Sequence, residues 1–291
     1  MSESESSLFA RFLSVNDFAI TTREAFGHDF KKWVSWFERV NAESYDSRRV
    51  TLRDVTDFRA HLRDERGQAV ATVNRCLVTL RRYFDFLAQE EVIPSNPASN
   101  VKELRRTPTA PKSIDRAVVR RLLREATVRE DHRALAILGL FVYCGLRLSE
   151  VAALQLGHLD LSERRGAVLV RHGKHNRERT VPIPAEPRRL LIDYLSRRPP
   201  VESDRVFIGQ GCRPLGADGV RYIVEKYGLA VGIKLHPHAL RHTFATEYLA
   251  ANNNDLVGLA QLLGHESIQT TSRYTQRKMA SLHGAINQVA F

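Results

Sequence analysis

The chain has few cysteines and no long apolar run, and both scarcities narrow the classes of protein to which it can belong. Its three cysteines, Cys76, Cys144 and Cys212, form no C-x-x-C pair and are odd in number. This fits a reduced cytoplasmic chain better than a disulfide framework. No apolar segment approaches the ~20 residues that a helix needs to span a bilayer, so no membrane association is expected. The polar stretch 1–7 lacks the regions of a signal peptide and is predicted to be a disordered lead-in.

Basic residues, in contrast, are in excess. The 291 residues include 44 Lys and Arg against 33 Asp and Glu, a net charge of +11. This balance favours a polyanionic partner such as nucleic acid, although a solvated basic surface would give the same count. Residues 1–110 hold 17 basic and 16 acidic residues, and residues 111–291 hold 27 and 17. The second segment is therefore expected to supply most of the attraction to phosphates.

The first third of the chain has the apolar spacing of α-helices. Helices are predicted over 22–40, 52–67 and 70–89, the second behind a near capping-box pattern at Thr51. Their aromatic and leucine stripes predict a small helical core. Its outer faces could touch DNA through three arginines: Arg75, Arg81 and Arg82.

A segment rich in proline and basic residues follows, with little apolar content, and it predicts an extended linker over 99–113. Two domains are therefore expected, over 1–98 and 114–291.

In the second domain, two short antiparallel strands are predicted among helices, and Gly145 is a natural helix stop. The predicted helices are 115–126, 134–143, 186–197, 217–231, 240–251 and 256–263, and the strands are 167–171 and 178–183. The fold class is mainly α: a helical bundle, then a mostly helical domain with a small antiparallel β-sheet.

Two short segments of the second domain carry cations that suit a phosphate. Arg147, in Gly145-Leu-Arg-Leu-Ser-Glu150, follows a helix stop, and its planar fork matches two phosphate oxygens. Glu150 could brace it, and an ordinary Arg–Glu ion pair is the alternative. Lys174 lies in the turn between the two strands, where it could steady a phosphate or protonate a leaving oxygen. A solvated hairpin lysine is the alternative there.

Two further segments carry histidines, an arginine and a tyrosine. In His236-Pro-His-Ala-Leu-Arg-His242, His238 and Arg241 could address one phosphate from the start of a helix. His238 and His242 also have metal-ligand spacing, but no H-E-x-x-H motif is present. The last segment runs from Leu263 to Thr275 and contains His265 and Tyr274. Each would ordinarily be a packing residue, and a tyrosine hydroxyl, with a pKa near 10, needs cationic surroundings to act as a nucleophile.

Together these segments resemble the tyrosine recombinase (phage integrase) family, in its simple Xer-like two-domain form. The family's boxes are G-L-R-x-S-E, a hairpin lysine, H-x-L-R-H, L-G-H, and a tyrosine nine residues after that last histidine. The resemblance implies that 1–98 is a core-binding domain that clamps DNA and that 114–291 is the catalytic domain. It implies six catalytic residues, Arg147, Lys174, His238, Arg241, His265 and Tyr274, with Glu150 and His242 as supporting residues.

The implied reaction is site-specific exchange of strands between two duplex DNA sites through a 3′-phosphotyrosine on Tyr274, with no metal and no cofactor. Arg147 and Arg241 would hold the phosphate oxygens, and Lys174 would protonate the leaving 5′-oxygen. His238 would assist proton transfer at the tyrosine, and His265 would donate to the phosphate. A tail helix is predicted after residue 277. The tail could dock on its own domain, but in the family such a tail often docks on a neighbouring protomer. The implied assembly on two DNA sites is a homotetramer, or a tetramer shared with a paired related recombinase.

Three rival hypotheses come from other classes. A topoisomerase of type IB would use similar chemistry on a single DNA site. A DNA-binding regulator would lack catalysis, but all six catalytic positions carry the expected residue. A metal-dependent hydrolase would use three nearby histidines: His236, His238 and His242.

Overall fold

The chain folds into two compact units, Met1–Pro108 and Thr109–Phe291, each with its own hydrophobic core. The computed structural model describes residues 4–105, 113–162, 164–171, 178–264 and 271. Lys174, His265, Tyr274 and the predicted tail helix lie outside the described residues. The predicted mainly α fold with a small antiparallel sheet is confirmed.

The regular secondary structure of the first unit is helical in its described part, and the three predicted helices are confirmed. Thr51 accepts a hydrogen bond from the Asp54 backbone N–H while the Asp54 carboxylate accepts one from Thr51, which completes the capping box. The core is rich in aromatic rings, among which Trp33 and Tyr83 are fully buried. The helices are α1 (Glu5–Val15), α2 (Ile20–Asn41), α3 (Leu52–Ala60), a π-helical turn (His61–Glu65) and α4 (Val70–Gln89).

The prediction of a disordered lead-in is wrong for residues 4–7. Ser4 caps α1 by accepting a hydrogen bond from the Ser7 backbone N–H at 3.2 Å. The Glu5 carboxylate accepts hydrogen bonds from the backbone and the hydroxyl of Ser47 at 2.9 and 2.8 Å. The polar composition of this segment hid the helix, because its apolar side begins only at Leu8.

The predicted linker is also wrong over 99–105, which packs on the first unit. Val101 is buried, and its carbonyl accepts a hydrogen bond from Arg81 Nη2 at 2.6 Å. The Asn74 side chain bonds both the N–H and the carbonyl of Leu104, each at 2.9 Å. Sequence composition predicted an exposed segment, but α4 satisfies its backbone groups.

The second unit surrounds helix α6, whose residues from Ala134 to Phe141 are buried. Helix α6 packs against α8 and α10. At Gly139 an added Cβ would lie 3.2 Å from Leu190 Cδ1 and 3.5 Å from Pro187 Cβ, so the absence of a side chain permits the close contact with α8. The helices are α5 (Arg116–Val128), α6 (His132–Cys144), α7 (Leu148–Ala153), α8 (Ala185–Ser196), α9 (Ala217–Ala230), α10 (Pro237–Ala251) and α11 (Leu256–Leu263).

Three antiparallel strands in the order β1-β2-β3 form the sheet of this unit: β1 (Leu159–Leu161), β2 (Gly166–Arg171) and β3 (Glu178–Pro182). Val168 pairs with Val181, and Arg171 pairs with Glu178 at the end of the hairpin. Strand β1 and helix α7 were not predicted, because three and six residues are too short for a periodic pattern. No helix among the described residues is long and apolar enough to cross a membrane.

Candidate active site

The chain reverses at the end of α6 through a position that only glycine fills without a clash. Gly145 has a left-handed backbone, with φ of 61°, and caps α6. A Cβ at this position would lie 2.3 Å from Cδ1 of Phe244 in α10. The turn therefore brings the end of α6 against α10, and Arg147 becomes the residue that precedes α7.

Glu150 lies one turn into α7 and fixes Arg147 at two points. One carboxylate oxygen accepts the Arg147 backbone N–H at 2.7 Å, and the other accepts Arg147 Nη1 at 2.8 Å. The Glu150 side chain is only 4% exposed, whereas that of Arg147 is 34% exposed. A buried carboxylate thus holds an arginine whose side chain is partly exposed.

A second arginine approaches Glu150 from strand β3. Arg179 Nη1 and Nη2 donate to the two carboxylate oxygens of Glu150 at 2.9 and 2.8 Å. Burial alone would raise the pKa of the Glu150 carboxyl, but the hydrogen bonds and charges of Arg179 and Arg147 outweigh burial and lower the pKa from 4.5 to about 2. The carboxylate is therefore ionised at neutral pH.

Arg241 reaches the same place from α10. Its side chain is 5% exposed, and its Nη1 lies 3.9 Å from a Glu150 oxygen. Nη1 also donates to the Gly145 carbonyl at 2.6 Å. Arg147 and Arg241, predicted from two separate sequence segments, are therefore brought together around Glu150.

The C-terminal end of α11 meets all three arginines. Three successive carbonyls there each accept a hydrogen bond from a different guanidinium: Leu262 from Arg179 Nε at 2.8 Å, Leu263 from Arg241 Nη2 at 2.8 Å and Gly264 from Arg147 Nη2 at 3.1 Å. The last carbonyls of a helix lack intrahelical partners and form its negative end, which cations stabilise. The segment that leads to His265 is thus attached to the two predicted phosphate-binding arginines.

The two histidines predicted on α10 differ in exposure. His238 lies in the first turn of the helix and is exposed, whereas His242, one turn later, is buried. His236 lies outside the helix and contacts Glu225, with Nδ1 and Oε1 3.4 Å apart. In the part of the chain that the structure describes, no group of three or more His, Cys, Asp or Glu side chains could hold a metal ion. The metal-hydrolase hypothesis has no support there.

Arg179 was not predicted as a site residue, although the sequence of β3 carries a signal for it. Along β3 the side chains alternate, and Arg179 shares the inward face with buried Val181. A charged residue at an inward strand position requires a buried partner. Glu150 is that partner.

Replacing Glu150 with glutamine is expected to reduce the free energy of unfolding at pH 7 by roughly 3 kcal/mol, because three arginines lose their shared carboxylate. The folded pKa lies below the unfolded value, so this contribution is present above about pH 4.5 and is lost as the pH falls towards about 2. Denaturant unfolding of both proteins at pH 7, 4 and 3 measures it. A difference that stays constant across these pH values would show that folding does not lower the pKa of Glu150.

Comparison with known proteins identifies two family models in the chain. Residues 7–91 match the N-terminal SAM-like domain of phage integrases, and residues 112–281 match the phage integrase family. Tyrosine recombinase XerC of Pseudomonas fluorescens is 33% identical over 262 residues, which cover 87% of this chain and 85% of that protein. Tyrosine recombinase XerC of Actinobacillus pleuropneumoniae is 35% identical, over 73% of this chain and 70% of that protein.

Two solved recombinase structures have the same fold as this chain. XerH recombinase bound to its palindromic difH substrate superposes with a TM-score of 0.78 at 20% identity, over 99% of this chain and 85% of that one. A lambda integrase dimer bound to a core site gives a TM-score of 0.74 at 15% identity, over 94% and 95% of the two chains. The chain belongs to the phage integrase family and is a tyrosine-type site-specific DNA recombinase. The resemblance drawn from the sequence boxes is confirmed.

Proposed function

We propose that the recombinase cleaves DNA with Tyr274 as its nucleophile and with the arginine cluster around Glu150 as its phosphate site. The tyrosine oxygen forms a bond to phosphorus as the bond from phosphorus to the 5′-oxygen breaks, leaving a 3′-phosphotyrosine and a 5′-hydroxyl. A 5′-hydroxyl from the partner strand then displaces the tyrosine. One phosphodiester replaces another, so the exchange needs no external energy source, and the family resemblance implies that it uses no metal and no cofactor.

The convergence of Arg147 and Arg241 on one buried carboxylate carries this proposal. With Arg179, the cluster has three positive charges and one negative charge, and Arg147 is the most exposed of the three. A phosphodiester attacked by a tyrosinate bears two negative charges in the transition state. Fixed cations that match charge as it develops are usually the largest electrostatic contribution to catalysis.

The remaining roles rest on the family resemblance. Lys174 protonates the leaving 5′-oxygen, and His265 donates a hydrogen bond to the phosphate. His238 assists proton transfer at the tyrosine, which agrees with its exposure in the first turn of α10, where the helix dipole is positive. His242 is buried one turn away and orients its neighbours.

Duplex DNA is the proposed partner of the first unit as well. A groove of about 410 Å³ between α2 and the π-helical turn is lined by Lys31, Lys32, Arg39 and Arg66, together with two histidines, and no carboxylate residue lines it. All four cationic residues are exposed. Exposed cations along one groove suit the phosphate backbone, which positions a protein on DNA without reading its sequence.

Removing two groove charges in Lys31→Gln/Arg66→Gln is expected to weaken DNA binding equally on all sequences. The slope of log affinity against log salt should fall by roughly 2, because each lost phosphate contact removes about 0.9. Fluorescence anisotropy from 50 to 300 mM salt measures this. The matched control is Arg53→Gln/Arg63→Gln, which removes the same charge from exposed positions outside the groove. An equal loss of DNA affinity and of salt slope in both variants would show that the attraction to DNA comes from the overall charge of the unit and not from the groove.

We also propose that two protomer pairs assemble as a homotetramer on two DNA sites, with two protomers cutting at a time. The predicted tail helix would dock on a neighbouring protomer. Because DNA is the substrate, the protein would act in the cytoplasm, where its three cysteines, which form no disulfide, stay reduced.

A two-site exchange assay tests the proposed function. The protein is incubated in EDTA with a labelled duplex and a plasmid, each bearing the site recovered by selection from random duplexes. Transfer of the label to the plasmid supports recombination. Plasmid relaxation without transfer, from a single site, would indicate a topoisomerase instead.

A further inference from the structure

Arg179 is built into the interior of the second unit beside the proposed phosphate site. Its side chain is 11% exposed, and it lies on the face of β3 that also carries buried Val181. It is outside the six family positions. Burying a guanidinium costs free energy unless hydrogen-bond partners in the protein replace its hydrating water molecules. The partners of Arg179 therefore indicate its structural role.

Among the described residues, the partners of Arg179 belong to two segments of the site. Nη1 and Nη2 make a bidentate contact with Glu150, and Nε donates to the Leu262 carbonyl at the end of α11. Glu150 in turn holds the backbone and the guanidinium of Arg147. Arg179 therefore connects strand β3 to the carboxylate that fixes Arg147 and to the segment that precedes His265.

The space around the Arg179 side chain fits a guanidinium closely. Gly264 has a φ of 64°, and a Cβ at this position would lie 3.0 to 3.2 Å from atoms Nη1, Cδ and Cζ of Arg179. A lysine would keep the charge, but a single ammonium cannot reproduce a planar fork that spans both oxygens of Glu150 and also reaches the Leu262 carbonyl.

We propose that Arg179 is a positioning residue for strand cleavage, an inference that rests on the proposed function above. It fixes the carboxylate of Glu150, and through it Arg147, while it ties the end of α11 to the same carboxylate. The arginines therefore meet the phosphate in a prearranged position. Since a small displacement of a catalytic group can cost about 100-fold in rate, losing this connection should slow chemistry more than DNA binding.

The test separates the cleavage rate from DNA affinity. Single-turnover formation of the covalent adduct is measured at saturating nicked DNA for the parent and for Arg179→Lys, and the dissociation constant is measured by anisotropy. We expect the rate constant to fall about 10- to 100-fold while the dissociation constant stays within about 2-fold. Arg179→Gln, which keeps N–H donors near Glu150, is the second variant if the lysine variant does not fold.

A matched control distinguishes positioning from loss of stability. Arg198 is also a partly buried arginine of this unit, and its guanidinium donates to the carbonyls of Ser203, Arg205 and Val206. Arg198→Lys should lower the melting temperature and leave the cleavage rate within about 2-fold of the parent. A parental cleavage rate in the folded Arg179 variant, or an equal loss of rate in Arg198→Lys, would overturn the proposal. If the parent itself forms no adduct, the proposed function fails, and the role of Arg179 in strand cleavage fails with it.

Discussion

Replacing Tyr274 with phenylalanine is expected to abolish strand cleavage while DNA binding remains. The substitution removes one hydroxyl, the proposed nucleophile, and leaves the rest of the side chain in place. Loss of a nucleophile typically reduces the rate by more than about 10⁴-fold. Adduct formation on nicked DNA, followed on denaturing gels, measures the rate, and anisotropy measures affinity, which should stay within about 2-fold.

The control for this variant is another tyrosine-to-phenylalanine change in the same unit. Tyr222 is exposed in α9, so Tyr222→Phe should cleave at the parental rate. Residual adduct in Tyr274→Phe at more than a few per cent of the parental yield would assign the nucleophile elsewhere.

Replacing Arg241 with lysine is expected to reduce the cleavage rate by about 10²- to 10³-fold, the usual effect of removing one charge-stabilising donor from an active site. The variant keeps a positive charge, but the single nitrogen of an ammonium does not reproduce the planar fork whose Nη1 and Nη2 bond the Gly145 and Leu263 carbonyls. Single-turnover cleavage at saturating DNA measures the effect.

Arg133→Lys is the matched control for Arg241. Arg133 Nη1 donates to the Ile208 carbonyl at 2.7 Å in the same unit, away from Glu150. We expect this variant to lose stability and keep its cleavage rate. A rate loss below about 3-fold in Arg241→Lys would contradict the proposed role of Arg241 at the phosphate.

Most of the fold could be predicted from the spacing of apolar residues, because this spacing is clearly periodic in long amphipathic helices. Helix α4 and helix α11 begin and end where the apolar spacing predicted. The elements that were missed or wrongly predicted are short or have a misleading composition. The apolar residues that bury α1 begin only after a polar start, and β1 is three residues long. Residues 99–105 look like a linker in composition, and only the side chains of α4 explain why they pack.

The candidate site could be predicted in part, by residue type and spacing. Arg147, Glu150 and Arg241 converge as the sequence boxes predicted. The boxes could not predict that three successive carbonyls at the end of α11 each bind a different arginine, because those contacts join segments up to 117 residues apart through backbone atoms that any sequence would supply. Arg179 went unassigned because its inward position on β3 indicates a buried partner but does not identify Glu150 as that partner. Its importance follows from its partners and not from a motif.

The most direct test of the central claim is to identify the residue and the DNA end that become joined. The protein is incubated in EDTA with a nicked duplex carrying the selected site, the adduct is digested with protease, and the peptide attached to DNA is sequenced by mass spectrometry. The account predicts a peptide containing Tyr274 linked to a 3′-phosphate. A link to a 5′-phosphate, a link to another residue, or no adduct on a site that the protein binds and recombines would contradict it.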